Sequence, residues 1–422
     1  MITKSESVYR KWKPPIRGFH YPITALIEVT RRCFSNCRGC GNANLHKGED
    51  ITLTDFDHIL KELLPNIKEV RLIGGEPTLN PNLLDICNRL NYEQLDFSIT
   101  TNGIYVFWEQ MINKLLPMKY FKGFLISLHG HNPDTHEKFT GLQNSFKKAT
   151  EAIKVATSMG VWVSTSTVLT EWNVDHIKDI YLLSKSLGAK YTVFNRFLGP
   201  FTDGRPTHTR LCKALRQISS LSKKGEKIRF GNCVPSCALN NISHAIEICP
   251  AGRISIAIGP DGYVRPCLHT NIIVGNLLKD DLGSIWKSEI YEKWRDFVPN
   301  LCKNCKLKLM CEGGCKLVNT WSPTVDPLIR ENKFITKMTP NKGVKIKINA
   351  KRVPIFDGEI KKNGTDWIVY HSGQIIKINK KDIVVLNAIK NGLCIAEFKS
   401  KYGHTSVELI IDLWRRGMIR WQ

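Results

Sequence analysis

Cys33-Phe34-Ser35-Asn36-Cys37-Arg38-Gly39-Cys40 directly follows a short apolar, β-branched run at residues 23–29. The run predicts a buried strand, which places the three cysteines in the loop at its C-terminal end. Their spacing is C-x3-C-x2-C. Three thiolates can hold three irons of a 4Fe–4S cluster and leave the fourth iron without a protein ligand, open to a small chelating molecule. A structural zinc site wants four ligands, and no fourth stands nearby at zinc-finger spacing. Zinc, or three unrelated buried thiols, are the alternatives at this point.

A second predicted strand, residues 69–73, runs into Gly74-Gly75-Glu76-Pro77. A third, residues 95–99, ends in Thr100-Thr101-Asn102-Gly103. Glycines let a backbone turn tightly and approach a ligand closely. Singly, each turn is an ordinary strand–helix connection. Together, after three successive strands, they resemble the radical S-adenosylmethionine (radical SAM) superfamily over residues 24–197. The resemblance implies that Cys33, Cys37 and Cys40 carry the catalytic 4Fe–4S cluster. Its open iron would bind the amine and carboxylate of S-adenosylmethionine. Gly74, Gly75, Glu76 and Pro77 would line the amine, with Thr101, Asn102 and Ser127 as further cofactor contacts. One departure stands out. The family carries an aromatic residue just before the third cysteine, near adenine, and here that position is Gly39.

The chain has 422 residues, 42% of them hydrophobic, enough for two or three domains. No run approaches the length of a membrane span, and the first residues lack the apolar core of a signal peptide. A soluble, cytoplasmic protein is expected, with no membrane partner. The 14 cysteines cluster at short spacings, which in a long cytosolic chain points to metal rather than disulfides. The net charge of +23 would suit nucleic acid, an acidic peptide or an anionic surface. It is spread through the chain, so Lys-rich solubility explains it equally well.

Strands are predicted at residues 23–29, 70–73, 95–99, 123–128, 161–169 and 191–194, and helices at 53–63, 83–90, 107–116, 146–159 and 174–187. Asp55 and Asn173 lie near helix starts, and Gly160 and Gly188 follow helix ends. Alternating strands and helices imply a parallel sheet with right-handed crossovers. The fold class expected is α/β: a partial (β/α)6 TIM-like barrel over residues 21–205, after an arm at 1–20. Site residues then belong at the C-terminal strand ends. The fourth strand supplies Ser127, which would approach the cofactor ribose or merely satisfy backbone. His129 follows, read as a surface-loop residue rather than a proton donor or substrate contact. Residues 211–222 read as a bridging helix.

Cysteines return as Cys249-x12-Gly262-x4-Cys267 and Cys302-x2-Cys305-x5-Cys311-x3-Cys315. This spacing resembles the SPASM domain, an irregular cysteine-rich extension of radical enzymes that mature ribosomal peptides and proteins. The resemblance covers residues 206–335 and implies two auxiliary iron–sulfur clusters, of 4Fe–4S type. Cys249, Cys267 and Cys315 would serve the first, with one upstream cysteine. Cys302, Cys305 and Cys311 would serve the second. Two departures bear on this. The family's upstream ligand position is Ser243, so Cys237 is preferred, with Cys233 as substitute. The family's seventh cysteine is absent, which leaves the second cluster's fourth ligand open. A single zinc ribbon at Cys302 to Cys315 is the alternative. Cys87, Cys212 and Cys394 are isolated and read as buried small apolar residues.

Residues 343–422 carry more Lys and Arg than Asp and Glu. A hairpin is predicted around His371-Ser372-Gly373, then helices at 382–390, 395–402 and 407–416. That is the layout of a small winged-helix-like α+β domain. It would bind DNA through a helix, or grip an extended leader peptide as an added strand. Fused to this core, the peptide reading is preferred and a nucleic-acid partner is not expected. The whole chain reads as a radical SAM enzyme that modifies a ribosomally made precursor peptide through its leader segment, by forming a side-chain crosslink. Flavodoxin or ferredoxin would donate electrons. The rival readings are oxidation of a protein residue, as in sulfatase maturation, or of a small molecule, and a DNA-binding iron–sulfur regulator.

Overall fold

The computed structural model describes residues 19–41, 48–64, 66–198, 203–238, 249–305, 311–321, 326–329, 353–356, 359–363, 366–371, 374–389, 391–415 and 419–421. The expected arm before Phe19, Ser243 and the turn Ser372-Gly373 lie outside them. The chain divides into two compact units, one of Pro22–Met338 and one joining Met1–Tyr21 to Thr339–Gln422.

The larger unit repeats strand and helix: β1 Thr24–Thr30, α1 Leu53–Leu63, β2 Glu69–Gly74, α2 Leu83–Tyr92, β3 Asp96–Thr101, α3 Trp108–Leu115, β4 Phe121–Ser127, α4 Pro133–Thr140, α5 Ser145–Ser158, β5 Val163–Val168, α6 Ile177–Ser186 and β6 Tyr191–Asn195. The six strands lie in chain order, all parallel. Ala25, Ile27, Val29, Val70, Leu72, Phe97 and Ile99 are fully buried. Helix α1 buries Phe56, Ile59, Leu60 and Leu63, the i, i+3, i+4, i+7 stripe that packs a helix on a sheet. Its N-cap is Thr52, whose hydroxyl accepts from the Asp55 amide; Asp55 itself lies in the first turn. Gly160 and Gly188, at φ +83° and +87°, follow α5 and α6 in the left-handed conformation that closes helices.

Helix α4 was not expected. It starts on a capping Asn132 followed by Pro133 and ends at Gly141, which has φ +66°. Only His136, Phe139 and Thr140 of its eight residues are buried, too few to leave a periodic signature.

The sheet also runs past six strands at both ends. Helix α7, His208–Lys223, leads to β7, Ile228–Phe230, which pairs parallel with β6. On the other side β8, Ser255–Ile258, pairs parallel with β1. Strands β9, Tyr263–Arg265, and β10, Gly275–Asn276, continue it antiparallel. These strands have four residues or fewer, too short for alternation to register. Helices α8, Leu282–Trp286, and α9, Glu289–Asp296, follow. The cysteine-rich segment is thus an extension of the barrel sheet itself. Two buried ion pairs fasten it: Arg265 to Glu28 of β1 at 2.6 Å, and Arg196 to Asp326 at 2.6 and 3.0 Å. Among the described residues no helix is long and apolar enough to cross a membrane.

In the smaller unit, strands Glu359–Asn363, Asp366–His371 and Gln374–Ile378 form an antiparallel meander. The predicted hairpin is therefore its second and third strands. Helices Lys380–Ile389, Ile395–Tyr402 and His404–Arg415 follow, packed on a core that includes Leu386, Phe398, Ile410 and Leu413. A last strand, Ile419–Trp421, pairs with Pro354–Phe356. Cys394 is half-buried rather than buried, and serves as N-cap, its amide donating to Glu397 at 2.7 Å. Cys87 and Cys212 are buried, as expected.

Candidate active site and cluster-binding cysteines

The loop after β1 brings Cys33, Cys37 and Cys40 together, each the others' electrostatic neighbour at Cys37. Its backbone is held by α4: the Asn36 amide donates to Thr140 O, and the Arg38 amide to Phe139 O, both at 2.9 Å. Gly39 has a steric reason. A Cβ there would stand 2.6 Å from Phe139 and 3.0 Å from Phe197. Two rings from α4 and the end of β6 therefore crowd the position where the family carries its own aromatic.

Strand β2 ends beside this loop. The Gly75 amide donates to Thr30 O and the Glu76 amide to Arg32 O, both at 2.8 Å. A Cβ on Gly74 would lie 2.3 Å from Thr30 O, and one on Gly75 2.2 Å from Arg32 O. The glycines are demanded by the neighbouring backbone, three residues and one residue before Cys33. Glu76 then caps a short 3-10 turn, Pro77–Leu79, with Pro77 at its first position.

The Glu76 carboxylate is 2% exposed and accepts four hydrogen bonds. Oε1 receives the Thr78 amide at 3.2 Å, the Thr78 hydroxyl at 2.8 Å and the Thr101 hydroxyl at 2.7 Å; Oε2 receives the Asn102 amide at 2.7 Å. Burial nevertheless holds its pKa above the usual carboxylate value. Among the described residues no ion pair includes this buried carboxyl group. Asn102 Nδ2 reaches Ser35 Oγ at 3.4 Å and lies 4.0 Å from Cys33 Sγ. Gly74, Gly75, Glu76, Pro77, Thr101, Asn102 and Cys33 thus form one bonded set. Ser127 ends β4 one strand further on, paired in register with Ser166.

His129 is not the surface-loop residue expected. It is 5% exposed, its Nδ1 accepts from the Val168 amide at 3.2 Å, and its own amide donates to His136 Nδ1 at 3.1 Å. Burial lowers both pKa values, His136 to about 4. Asn173 donates to His129 O and Val168 O, both at 2.8 Å, so it ties β4 to β5 rather than starting α6.

The second cysteine field separates into two groups. Cys249, Cys267 and Cys315 lie together, as the resemblance implied. The fourth thiol among them is Cys233, which bonds Cys249 and packs with Cys315 and Leu317. Cys302, Cys305 and Cys311 form the other group. Its additional neighbour is Cys237: the adjacent Ser236 amide donates to Cys311 Sγ at 3.2 Å. The thiol beside Cys249 is thus Cys233, and not the Cys237 that the spacing favoured.

These donors suit iron–sulfur clusters. All are soft thiols, and burial pushes those of Cys267 and Cys302 up to about 12, so ionising them calls for bound metal. A tetrahedral zinc would draw its sulfurs to within ~4 Å of one another, from Zn–S bonds of about 2.3 Å. Among the described residues the group whose ligand atoms all lie within 4.8 Å of one another is His131, His176 and Asp179, and not a cysteine trio. A cuboidal cluster takes one thiolate per iron and holds its cysteines further apart.

The model of the radical SAM superfamily matches residues 27–183, and that of an iron–sulfur cluster-binding domain, SPASM, matches residues 249–306. Residues 27–183 are thus a radical SAM domain, and residues 249–306 a SPASM domain. The chain is 27% identical over 311 residues to the antilisterial bacteriocin subtilosin biosynthesis protein AlbA of Bacillus subtilis, covering 71% of this chain and 68% of that one. It is 22% identical over 313 residues to the PqqA peptide cyclase of Rhizobium meliloti, covering 70% and 82%. Streptococcus suis SuiB, solved bound to precursor peptide SuiA, shares the fold with a TM-score of 0.63 at 17% identity, over 76% of this chain and 77% of that one. The family's cofactors follow: S-adenosylmethionine, a core 4Fe–4S cluster and auxiliary iron–sulfur clusters.

Proposed function

We propose that this chain is a radical SAM/SPASM enzyme that modifies a ribosomally synthesised precursor peptide by forming a side-chain crosslink, carbon–carbon, ether or thioether. The observation that carries the reading is the pairing, in one compact unit, of the three-cysteine loop and its buried Glu76 with two further cysteine groups. The kinship to AlbA and the PqqA cyclase supports a peptide substrate. When bound, the reduced core cluster and S-adenosylmethionine would supply the radical chemistry that takes a hydrogen atom from the substrate.

The protein's own share is placement. Cys33, Cys37 and Cys40 would hold three irons and leave the fourth for the methionine end of the cofactor. Glu76, fixed by Thr78, Thr101 and Asn102, would accept the cofactor ammonium. Asn102 would sit between that site and the cluster sulfurs. Phe139 and Phe197 close the space over Gly39 and exclude water there. Ser127 would reach the ribose. The smaller unit, with its meander and three helices, would hold the leader segment as an added strand. A flavodoxin or ferredoxin would be the electron donor, and the cytoplasm the compartment.

The test uses a precursor peptide encoded beside the gene, incubated anaerobically with the reconstituted enzyme, S-adenosylmethionine and reductant. A crosslink removes one pair of hydrogens per bond, and tandem mass spectrometry locates it by the fragments it suppresses. Unchanged peptide mass with turnover of a small molecule instead would overturn the reading. Removing residues 339–422 should impair modification of the full precursor and leave uncoupled cofactor cleavage intact. Modification that survives this truncation would remove the leader-binding role alone.

A further inference from the structure

The two auxiliary groups are joined by a pair of similarly spaced segments. Cys311-x3-Cys315 sends Cys311 to one group and Cys315 to the other. The upstream segment Cys233-x3-Cys237 does the same, with Cys233 against Cys249 and Cys315, and Cys237 beside Cys302. The segments lie against each other. Ser236 N–H donates to Cys311 Sγ at 3.2 Å, and a Cβ on Gly314 would stand 2.6 Å from the Pro235 ring. Gly314 holds φ +84°, so a larger residue there would be strained as well as crowded.

From this geometry we infer that Cys237 is the fourth ligand of the second auxiliary cluster, and Cys233 the fourth ligand of the first. The inference deepens the SPASM reading and rests on it. The absent downstream cysteine is thereby replaced from upstream, out of the loop Gly231–Ala238 that leaves β7. Each auxiliary cluster then has four cysteine thiolates: Cys233, Cys249, Cys267 and Cys315 for one, Cys237, Cys302, Cys305 and Cys311 for the other. With no iron left open, neither offers a site to a substrate thiolate, amine or carboxylate. Their role is confined to carrying electrons, and the two x3 segments give two short covalent paths between them.

The experiment is iron and sulfide analysis of the full-length, anaerobically reconstituted protein, with ligand variants combined in pairs. Cysteines of one cluster should be redundant, because removing a second ligand from a lost cluster removes nothing more. The pair Cys237→Ala with Cys302→Ala should therefore lose one cluster's iron. Cys237→Ala with Cys249→Ala should lose two, and Cys233→Ala with Cys249→Ala only one. The opposite pattern, one cluster lost with Cys249 and two with Cys302, would overturn the assignment. Against variants that fail to fold, Cys237→Ser keeps a ligand atom. In a Cys249→Ala/Cys315→Ala background its reduced EPR spectrum should shift, since only the second auxiliary cluster remains beside the core. An unshifted spectrum would also overturn it. Wild-type protein holding iron for the core cluster alone would instead remove the SPASM reading beneath it.

Discussion

Glu76 shows how one side chain can be prepared for a partner. Its four hydrogen bonds come from a hydroxyl and an amide of its own turn, and a hydroxyl and an amide at the end of β3. A hydrogen bond to a charged group contributes about 1.5–3 kcal/mol. Glu76→Gln should therefore weaken S-adenosylmethionine binding about 10- to 100-fold by equilibrium dialysis; an unchanged affinity would rule out the ammonium contact. Thr101→Val keeps the carboxylate and removes one donor, so its loss should be smaller, about fivefold for ~1 kcal/mol. His136 makes a pH prediction. Its folded pKa of about 4 lies below the ordinary 6.5, so the unfolded chain takes up the proton first as pH falls. The stability this neutral ring contributes is complete above pH 6.5 and is lost toward pH 4, at about 1.4 kcal/mol per pH unit. The His129 ring, also buried and neutral, adds in the same direction. Urea midpoints of the wild type should fall across this range, and His136→Asn, weaker at neutral pH, should fall less steeply. Equal slopes would refute the assignment.

Elements explain what the sequence made readable. Most of the six strands and their helices were legible because they bury an apolar stripe of ordinary length, as α1 does with Phe56, Ile59, Leu60 and Leu63; β5, which buries Thr165 and Thr167 beside Val163, is the exception. The core cysteines and the Gly-Gly-Glu-Pro turn were legible because they fall at strand ends. Helix α4 was not, since its work is done by backbone carbonyls at Phe139 and Thr140, which any sequence supplies. Strand β8 was hidden by its length, and the roles of Cys233 and Cys237 by tertiary placement that spacing alone does not encode. Gly75 carries a prediction at this scale. Gly75→Ala puts a methyl against Arg32 O, where the backbone has no flexible side chain to give way. The variant should be at least 1–3 kcal/mol less stable, the usual cost of overpacking, and should bind less core-cluster iron. Wild-type iron content and melting temperature together would show that the turn can shift freely.

At the scale of the molecule, the Pro22–Met338 unit is fastened by charge as well as by sheet. Arg196 and Asp326 are both nearly inaccessible, with side chains 6% and 0% exposed. Removing one partner of such a pair strands a buried charge at a cost of about 3–5 kcal/mol, whereas replacing both with apolar residues is close to neutral. Arg196→Met and Asp326→Leu should each lower thermal stability sharply, and the double variant should recover most of it; additive losses would show that the pair is no closed unit. The pairing of β8 with β1 reaches further, into the order in which the protein is made. Thr24 pairs with Ser255, so the strand that leads into the core cysteine loop waits for a neighbour synthesised more than half a chain later. Contacts this distant form late and slowly. On the ribosome, the cysteine loop would spend that interval beside an open sheet edge, accessible to whatever delivers iron and sulfide. The pairing of β8 with β1 would close that edge and bring the interval to an end.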